Sequence, residues 1–260
     1  MQKKITTNQK EDHEMPQAQA VITDYIGTLT NAHNYSLKTS KIKLHKILMK
    51  TGFETNKKEF LEAYTQAHEK YRVTRYEKLR EVTNAIWISE ALNNLGYQAS
   101  SDDPRVKVAL NIFFKDYADS LKLRPCAKKL TRKIAENCKL GLVSNFTYAP
   151  VIYASLRKLG INQFFSAVIV SDDTGWRKPH KNIFHAALRK LQVRAEEAVF
   201  IGDSPLEDIK GAQAAGIRTV FVPSQFYTLK NLHESRQKPD IIVEDLCEIY
   251  RDLFKIITLH

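Results

Sequence analysis

The chain is poor in the features that mark specialised protein classes. Its 260 residues contain only nine glycines and eight prolines, so neither a collagen-like repeat nor a Gly/Pro-rich low-complexity tract is present. No uncharged apolar run approaches the roughly 20 residues that a membrane-crossing helix needs. The opening stretch MQKKITTNQKEDHEM lacks an apolar segment and does not read as a secretory signal. Cysteines number only three (Cys126, Cys138 and Cys247), with no Cys-x-x-Cys pair. The expectation is ordinary thiols in a reducing compartment, neither a disulfide nor a zinc framework, and hence a cytoplasmic location.

What is present is globular. The hydrophobic fraction is 43% and the charged fraction 27%, enough for one large domain or two modest ones. The net charge of +11 is spread out, with +4 over residues 31–120 and +8 over residues 121–260. A basic body favours anionic partners such as phosphorylated metabolites. No nucleic-acid-binding motif accompanies the charge, so nucleic acid is not the expected partner. Both a monomer and a homodimer remain open.

The rhythm along the chain divides it. Residues 1–19 are polar, aperiodic and read as a flexible tail. Ala20–Thr23 is a short apolar run that stops at an acid, as a buried strand ending in a functional loop does. Between about 36 and 118, apolar residues recur at three and four, giving an all-helical block. After Pro125, short apolar runs at 140–145, 166–171, 198–204, 218–224 and 240–246 alternate with helical stretches. Such alternation predicts a parallel sheet covered on both faces. The strand at 20–23 finds partners only beyond residue 120. The fold expected is therefore a three-layer, Rossmann-like α/β core (20–32 and 119–260) with a helical cap inserted at 33–118.

In parallel sheets, ligands bind at the carboxyl ends of strands. Those ends carry Asp24, Ser144–Asn145, Ser171–Asp172–Asp173 and Gly202–Asp203–Ser204, four polar clusters expected to face one crevice. Asp24 could attack phosphorus or carbon, bind a metal, or merely cap a turn. Gly27 lets the following loop turn sharply and bring backbone N–H groups, with Thr28, towards an anion. Asp203, with Asp208 about a turn later, suits Mg²⁺. Ser204-Pro205-x-Glu207 reads as the start of a helix that Gly216 ends. Lys178 stands just before a helix opening at Pro179, where its charge calls for an anionic neighbour.

These clusters, in this order, resemble the haloacid dehalogenase-like (HAD) hydrolase superfamily. Asp24-Tyr25-Ile26-Gly27-Thr28-Leu29 matches its first motif, Ser144 the second, Lys178-Pro179 the third, and Gly202-Asp203 with Asp208 the fourth. The helical insert is similar to that superfamily's cap. The resemblance implies that Asp24 is a nucleophile forming an aspartyl-phosphate. It implies that Asp24, Asp203, Asp208 and the carbonyl of Ile26 surround Mg²⁺, while Ser144, Asn145 and Lys178 meet the phosphate. A small-molecule phosphatase is the reading preferred.

One position departs from the pattern. The second acid of the first motif, which moves protons in most members, is Ile26. Its loss removes an effect of roughly 10²–10⁴ in rate. Dehalogenases, phosphonatases and P-type ATPases also lack this acid. A dehalogenase, with Asp24 attacking carbon, and a weakened HAD-fold binding protein therefore stay open. Asp203 and Asp208 favour the metal-dependent phosphatase, because a metal-free site would gain only repulsion from them. His33 is a candidate replacement acid, although an exposed loop histidine is the commoner case. Arg72 and Arg75 are candidate anion contacts from the cap, or else part of a solvated helix face. Tyr71, Tyr76 and Trp87 read as cap core before substrate cage.

Overall fold

The computed structural model describes residues 17–258. Residues 1–16, most of the expected tail, lie outside the described residues. Its last three residues are not tail-like. Ala18 is buried, its N–H donates to the Ile257 carbonyl (2.7 Å), and Gln17 bridges to Thr258.

Six parallel strands form the central sheet: β1 (Ala20–Thr23), β4 (Lys139–Ser144), β5 (Ala167–Val170), β6 (Ala198–Gly202), β7 (Arg218–Phe221) and β8 (Ile241–Ile242). Their order is β5-β4-β1-β6-β7-β8, so β1 is central, between β4 and β6. Alternate residues along each strand face opposite layers. Val21, Leu140, Leu142, Val199, Ile201 and Val220 pack into one core cluster, whereas Ala20, Ile22, Ala167, Ile169 and Phe200 pack into another. Burial on both faces explains why these strands read as continuous apolar runs.

Two short strands absent from the sequence reading, β2 (Thr30–Ala32) and β3 (Leu121–Leu123), pair antiparallel at the neck between core and insert. At three residues each, they offer too little alternation to detect. Between them lie the cap helices α1 (Leu37–Lys50), α2 (Lys57–Lys70), α3 (Arg72–Tyr76), α4 (Asn84–Asn94) and α5 (Pro104–Ser120). Leu44 and Leu48, Phe60 with Ala63, Tyr64 and Ala67, and Val106 with Ala109, Leu110 and Phe113 fill the cap's own core. Asn56 and Asp103 cap their helices through side-chain oxygens, and Pro104 occupies the first turn of α5.

The core helices are α6 (Ala127–Asn137), α7 (Ala149–Lys158), α8 (Ser171–Thr174), α9 (Lys181–Leu191), α10 (Lys210–Ala214), α11 (Leu229–Ser235), α12 (Leu246–Arg251) and α13 (Leu253–Ile257). A π-type turn over Pro205–Ile209 leads into α10, with the Ser204 hydroxyl accepting from the Glu207 N–H (3.1 Å). No helix among the described residues is long and apolar enough to cross a membrane.

The cysteine expectation fails. Cys126 and Cys247 form a disulfide, with Cα atoms 5.1 Å apart, and only Cys138 is free. The pair is 121 residues apart in sequence and is brought together by packing of α6 on α12, through Leu130, Ile134, Leu246 and Ile249 of one core. The thiol-based argument for a reducing compartment falls with it.

A second long-range tie joins cap to core. The Glu81 N–H donates to the Gly175 carbonyl (3.0 Å) and the Arg177 N–H to the Leu79 carbonyl (2.9 Å). Glu81 itself, its side chain 1% exposed, accepts from Arg75 of the cap (3.0 Å), and from Arg177 (2.6 Å) and Ser171 (2.5 Å) of the core. One buried carboxylate thus bridges two buried guanidinium groups and fixes the segment leading to Lys178.

Denatured but unreduced protein should titrate one thiol per chain, and three would contradict the Cys126–Cys247 bond. Glu81→Gln should lower unfolding stability in urea by about 3–5 kcal/mol, because it strands buried charge. Glu136→Gln, which removes the exposed Arg132–Glu136 pair, should cost less than about 1 kcal/mol.

Candidate active site

Asp24 emerges from the central strand β1, its N–H donating to the Ile201 carbonyl of β6 (2.9 Å). The loop after it folds back tightly. Leu29 and Thr30 N–H groups both reach the Tyr25 carbonyl (2.9 Å each), and the Gly27 N–H reaches the Thr30 carbonyl (2.7 Å). Gly27 has φ +101°, and a Cβ there would stand 2.3 Å from Asp203 Oδ2, so only glycine permits this approach. Its own N–H is already engaged, so any backbone donation to an anion falls to its neighbours. Tyr25 is fully buried beneath the loop, its hydroxyl 2.8 Å from the Ser155 hydroxyl, and burial pushes its phenol up to about 12.

Three strand ends meet around one ammonium. Lys178 Nζ donates to Asp24 Oδ1 (2.6 Å), Asp208 Oδ1 (2.6 Å) and the Val143 carbonyl (3.0 Å). All three charged side chains are buried. Burial works against the lysine's charge, but Asp208 and Asp24 outweigh it and hold its pKa above the usual value. The Lys178 backbone is clamped by Asn145, which accepts from its N–H (2.8 Å) and donates to its carbonyl (3.0 Å). Asn145, expected to meet phosphate, here positions the lysine. Ser144 is buried as the last residue of β4, between Val143 and Asn145.

Asp203 ends β6. It accepts from the Thr28 hydroxyl (3.1 Å) and the Ser224 hydroxyl (2.6 Å). Burial, then the charge of Asp24, push its carboxyl well above the usual range. Asp208 is raised too, chiefly by burial and against the pull of Lys178. Its second oxygen accepts the N–H groups of Asp203 (3.1 Å) and Ser204 (2.9 Å). Both oxygens of Asp208 are therefore occupied, and it anchors the lysine and the helix start. Gly202 permits this, since a Cβ there would lie 2.5 Å from Asp208.

Carboxylate oxygens of Asp24, Asp203 and Asp208 lie within 4.8 Å of one another. Three carboxylates face one ammonium, and Asp24 Oδ2 is buried without a hydrogen-bond partner. Among the described residues, no hydrogen bond reaches the Ile26 carbonyl. An oxygen-only set with surplus negative charge and an orphaned carboxylate oxygen fits a hard divalent cation.

The other expected residues sit elsewhere. Ser171, Asp172 and Asp173 do not join this cluster: Ser171 accepts from the Phe146 N–H (2.9 Å), Asp172 accepts from the Ala149 N–H (2.7 Å), and Asp173 holds the Tyr153 hydroxyl (2.6 Å). They buttress the loop after β4. Arg72 is exposed beside Glu69 (3.6 Å), and Arg75 is committed to Glu81. His33 is exposed, its N–H on the Ser120 carbonyl. Sequence reasoning missed Arg124, which donates to the carbonyls of Gly27 (2.6 Å), Thr28 (3.2 Å) and Pro223 (2.7 Å) and so pins the loop after Asp24 to the loop after β7. A lone arginine before a proline carries no spacing signal. Ser224, likewise, became visible only through its contact with Asp203.

A glyceraldehyde 3-phosphate phosphatase of Methanopyrus kandleri is 36% identical over 120 residues, 45% of this chain and 51% of that protein. A phosphoserine phosphatase of Thermus thermophilus is 35% identical over 91 residues, 35% of each chain. The match thus spans about half, or less, of these relatives. Among solved structures, a 2-haloacid dehalogenase from Pseudomonas syringae superposes with a TM-score of 0.65 at 22% identity, covering 92% of this chain and 99% of that one. A magnesium-bound HAD-hydrolase from Bacillus subtilis gives 0.57 at 21%, with coverage of 92% and 99%. The first of these folds carries carbon chemistry by name and the second a metal, so likeness of fold does not choose the reaction. The model of the haloacid dehalogenase-like hydrolase family matches residues 18–216, from the strand that delivers Asp24 to the end of the helix that follows Asp208, and the chain belongs to that family.

Proposed function

We propose that the protein is a Mg²⁺-dependent phosphohydrolase acting on a small phosphorylated metabolite through an aspartyl-phosphate on Asp24. The observation that carries this reading is the buried, unpartnered Asp24 Oδ2 within a cluster of three carboxylates and one ammonium. Asp24, Asp203 and the Ile26 carbonyl would hold the cation, with Asp208 adding charge beside them. When bound, Mg²⁺ supplies neutralisation of the phosphoryl oxygens and of the carboxylate repulsion.

The chain's own groups do the rest. Lys178 holds Asp24 through Oδ1 and fixes its direction. A carboxylate oxygen of Asp24 forms a bond to phosphorus as the bond from phosphorus to the substrate oxygen breaks. The departing alkoxide takes a proton from water, because Ile26 has none to give. Water then attacks phosphorus, the bond to Asp24 breaks, and phosphate leaves with the carboxylate restored. Lys178 and Ser144 stabilise the charge on the transferring group. Without an acid at position 26, turnover should be slow by roughly 10²–10⁴ against an enzyme that has one. The phosphatase relatives support the reaction class.

Ile26 is the one observation that favours a dehalogenase, in which Asp24 attacks carbon and halide departs without a proton. The buried Asp203 and Asp208 oppose it, since they would repel a carboxylate substrate.

Phosphate release from p-nitrophenyl phosphate and a panel of phosphorylated metabolites should require Mg²⁺, stop with EDTA, and fall at least about 10³-fold in Asp24→Asn. Absence of release across the panel, together with chloride release from 2-chloropropionate, would replace this reading with the dehalogenase.

A further inference from the structure

No carboxylate in the cluster has both oxygens free. Asp208 is bound at both, by Lys178 on Oδ1 and by the N–H groups of Asp203 and Ser204 on Oδ2. Asp24 is bound at Oδ1 by Lys178, and only its Oδ2 lacks a partner. Asp203 accepts one hydroxyl on each oxygen, Thr28 on Oδ1 (3.1 Å) and Ser224 on Oδ2 (2.6 Å). These two donors come from opposite neighbours. Thr28 belongs to the loop after β1 and Ser224 to the loop after β7, and those strands flank β6, which leads into Asp203.

The Ser224 hydroxyl has no freedom to point elsewhere. Its oxygen accepts the N–H groups of Phe226 (2.9 Å) and Tyr227 (3.1 Å), in a turn closed by the Ser224 N–H on the Tyr227 carbonyl (2.8 Å). A hydroxyl has two lone pairs and one proton. With both lone pairs engaged, the proton is left for Asp203. The two loops are also fixed to each other. Arg124 donates to the Gly27 and Thr28 carbonyls on one side and to the Pro223 carbonyl, next to Ser224, on the other. Gly27 closes a further side of the carboxylate, since a Cβ there would stand 2.3 Å from Oδ2 and 3.0 Å from Oδ1. Asp203 is therefore a buried carboxylate that cannot swivel without breaking a hydrogen bond.

The consequence is one of ligand number. Ca²⁺ takes about six to eight oxygens at about 2.3–2.6 Å, often both oxygens of one carboxylate. Mg²⁺ holds an octahedron at about 2.0–2.1 Å and keeps several waters beside one or two carboxylates. Chelation through both oxygens of Asp203 would turn the group away from Thr28 or Ser224 and leave a hydroxyl unpaired, which is costly. Ligation through one oxygen needs no turn, because each oxygen has a second lone pair.

We propose that Ser224 makes this site choose Mg²⁺ over Ca²⁺: with Thr28 opposite it and Arg124 fixing the two loops, it holds Asp203 to ligation through a single oxygen. The inference rests on the phosphohydrolase reading above, which calls for the cation, and adds to it the residue that sets cation selectivity. Ser224 is a positioning residue, acting through Asp203.

Calorimetric titration of the metal-free protein with Mg²⁺ and with Ca²⁺ reads the ratio of the two affinities without turnover. Wild-type protein should bind Mg²⁺ about tenfold or more tighter than Ca²⁺. Ser224→Ala should shrink that ratio about tenfold, with Ca²⁺ gaining on Mg²⁺. Ser224→Thr, which keeps the hydroxyl, should retain it. Arg124→Lys, which keeps the charge but cannot span both loops, should move the ratio in the same direction as the alanine variant. An equal loss of both cations in Ser224→Ala, with the ratio unchanged, would reduce Ser224 to structural support and overturn the proposal. Equal affinities in the wild-type protein would also overturn it, and would leave the cation site standing. A flat wild-type titration with both cations would remove the metal-dependent reading itself, and the selectivity with it.

Discussion

The Lys178 ammonium is the point on which the site depends. It is buried, it bridges Asp24 at the end of β1 to Asp208 beyond β6, and it reaches the end of β4 through the Val143 carbonyl. A buried cation with two carboxylates is tolerable only because each partner is held in turn. Asn145 fixes the lysine's backbone, and two N–H groups fix the far oxygen of Asp208. Thr28 and Ser224 hold Asp203, while Arg124 holds the loop that carries Asp24. Most of these contacts orient groups; few neutralise charge. A negative surplus remains, three carboxylates against one ammonium.

The same lysine links the site to the cap. The segment that delivers it also carries Arg177, whose charge is met by Glu81 from the insert. A backbone bridge between Arg80 and Trp176 and the Arg80 guanidinium stacked 4.0 Å over the Trp176 ring reinforce the join. The helical insert is thereby tied to the segment that carries Lys178 as well as joined at the β2–β3 neck. Its aromatic wall then sits against the loop after β4 that Ser171 and Asp172 support.

Much of this was legible in the sequence, for a local reason. Strands buried on both faces appear as apolar runs, and the residues that end them are polar because the crevice lies there, so Asp24, Ser144, Asp203 and the parallel sheet could be read directly. Lys178 stood out through its place before a helix. What could not be read depends on separation in sequence. Arg75, expected at an anion, pairs with Glu81, whose other partner Arg177 is 96 residues away. Cys126 finds Cys247 across 121 residues. Asp208 and Asn145 were placed in the right neighbourhood, yet their geometry makes them holders of Lys178. The cavity lined by Tyr64, Trp87, Phe113 and Phe114 is invisible in one dimension, because helical spacing that builds a cap core and spacing that lines a pocket are the same pattern.

In the phosphohydrolase reading, a divalent cation completes the buried carboxylate cluster around Lys178. Calorimetric titration of the metal-free protein with Mg²⁺ tests it most directly, with Asp203→Asn alongside. One Mg²⁺ per chain should bind, with affinity weakened at least about tenfold in the variant. A flat titration of the wild-type protein would contradict it and leave the three acids and one lysine as a structural knot.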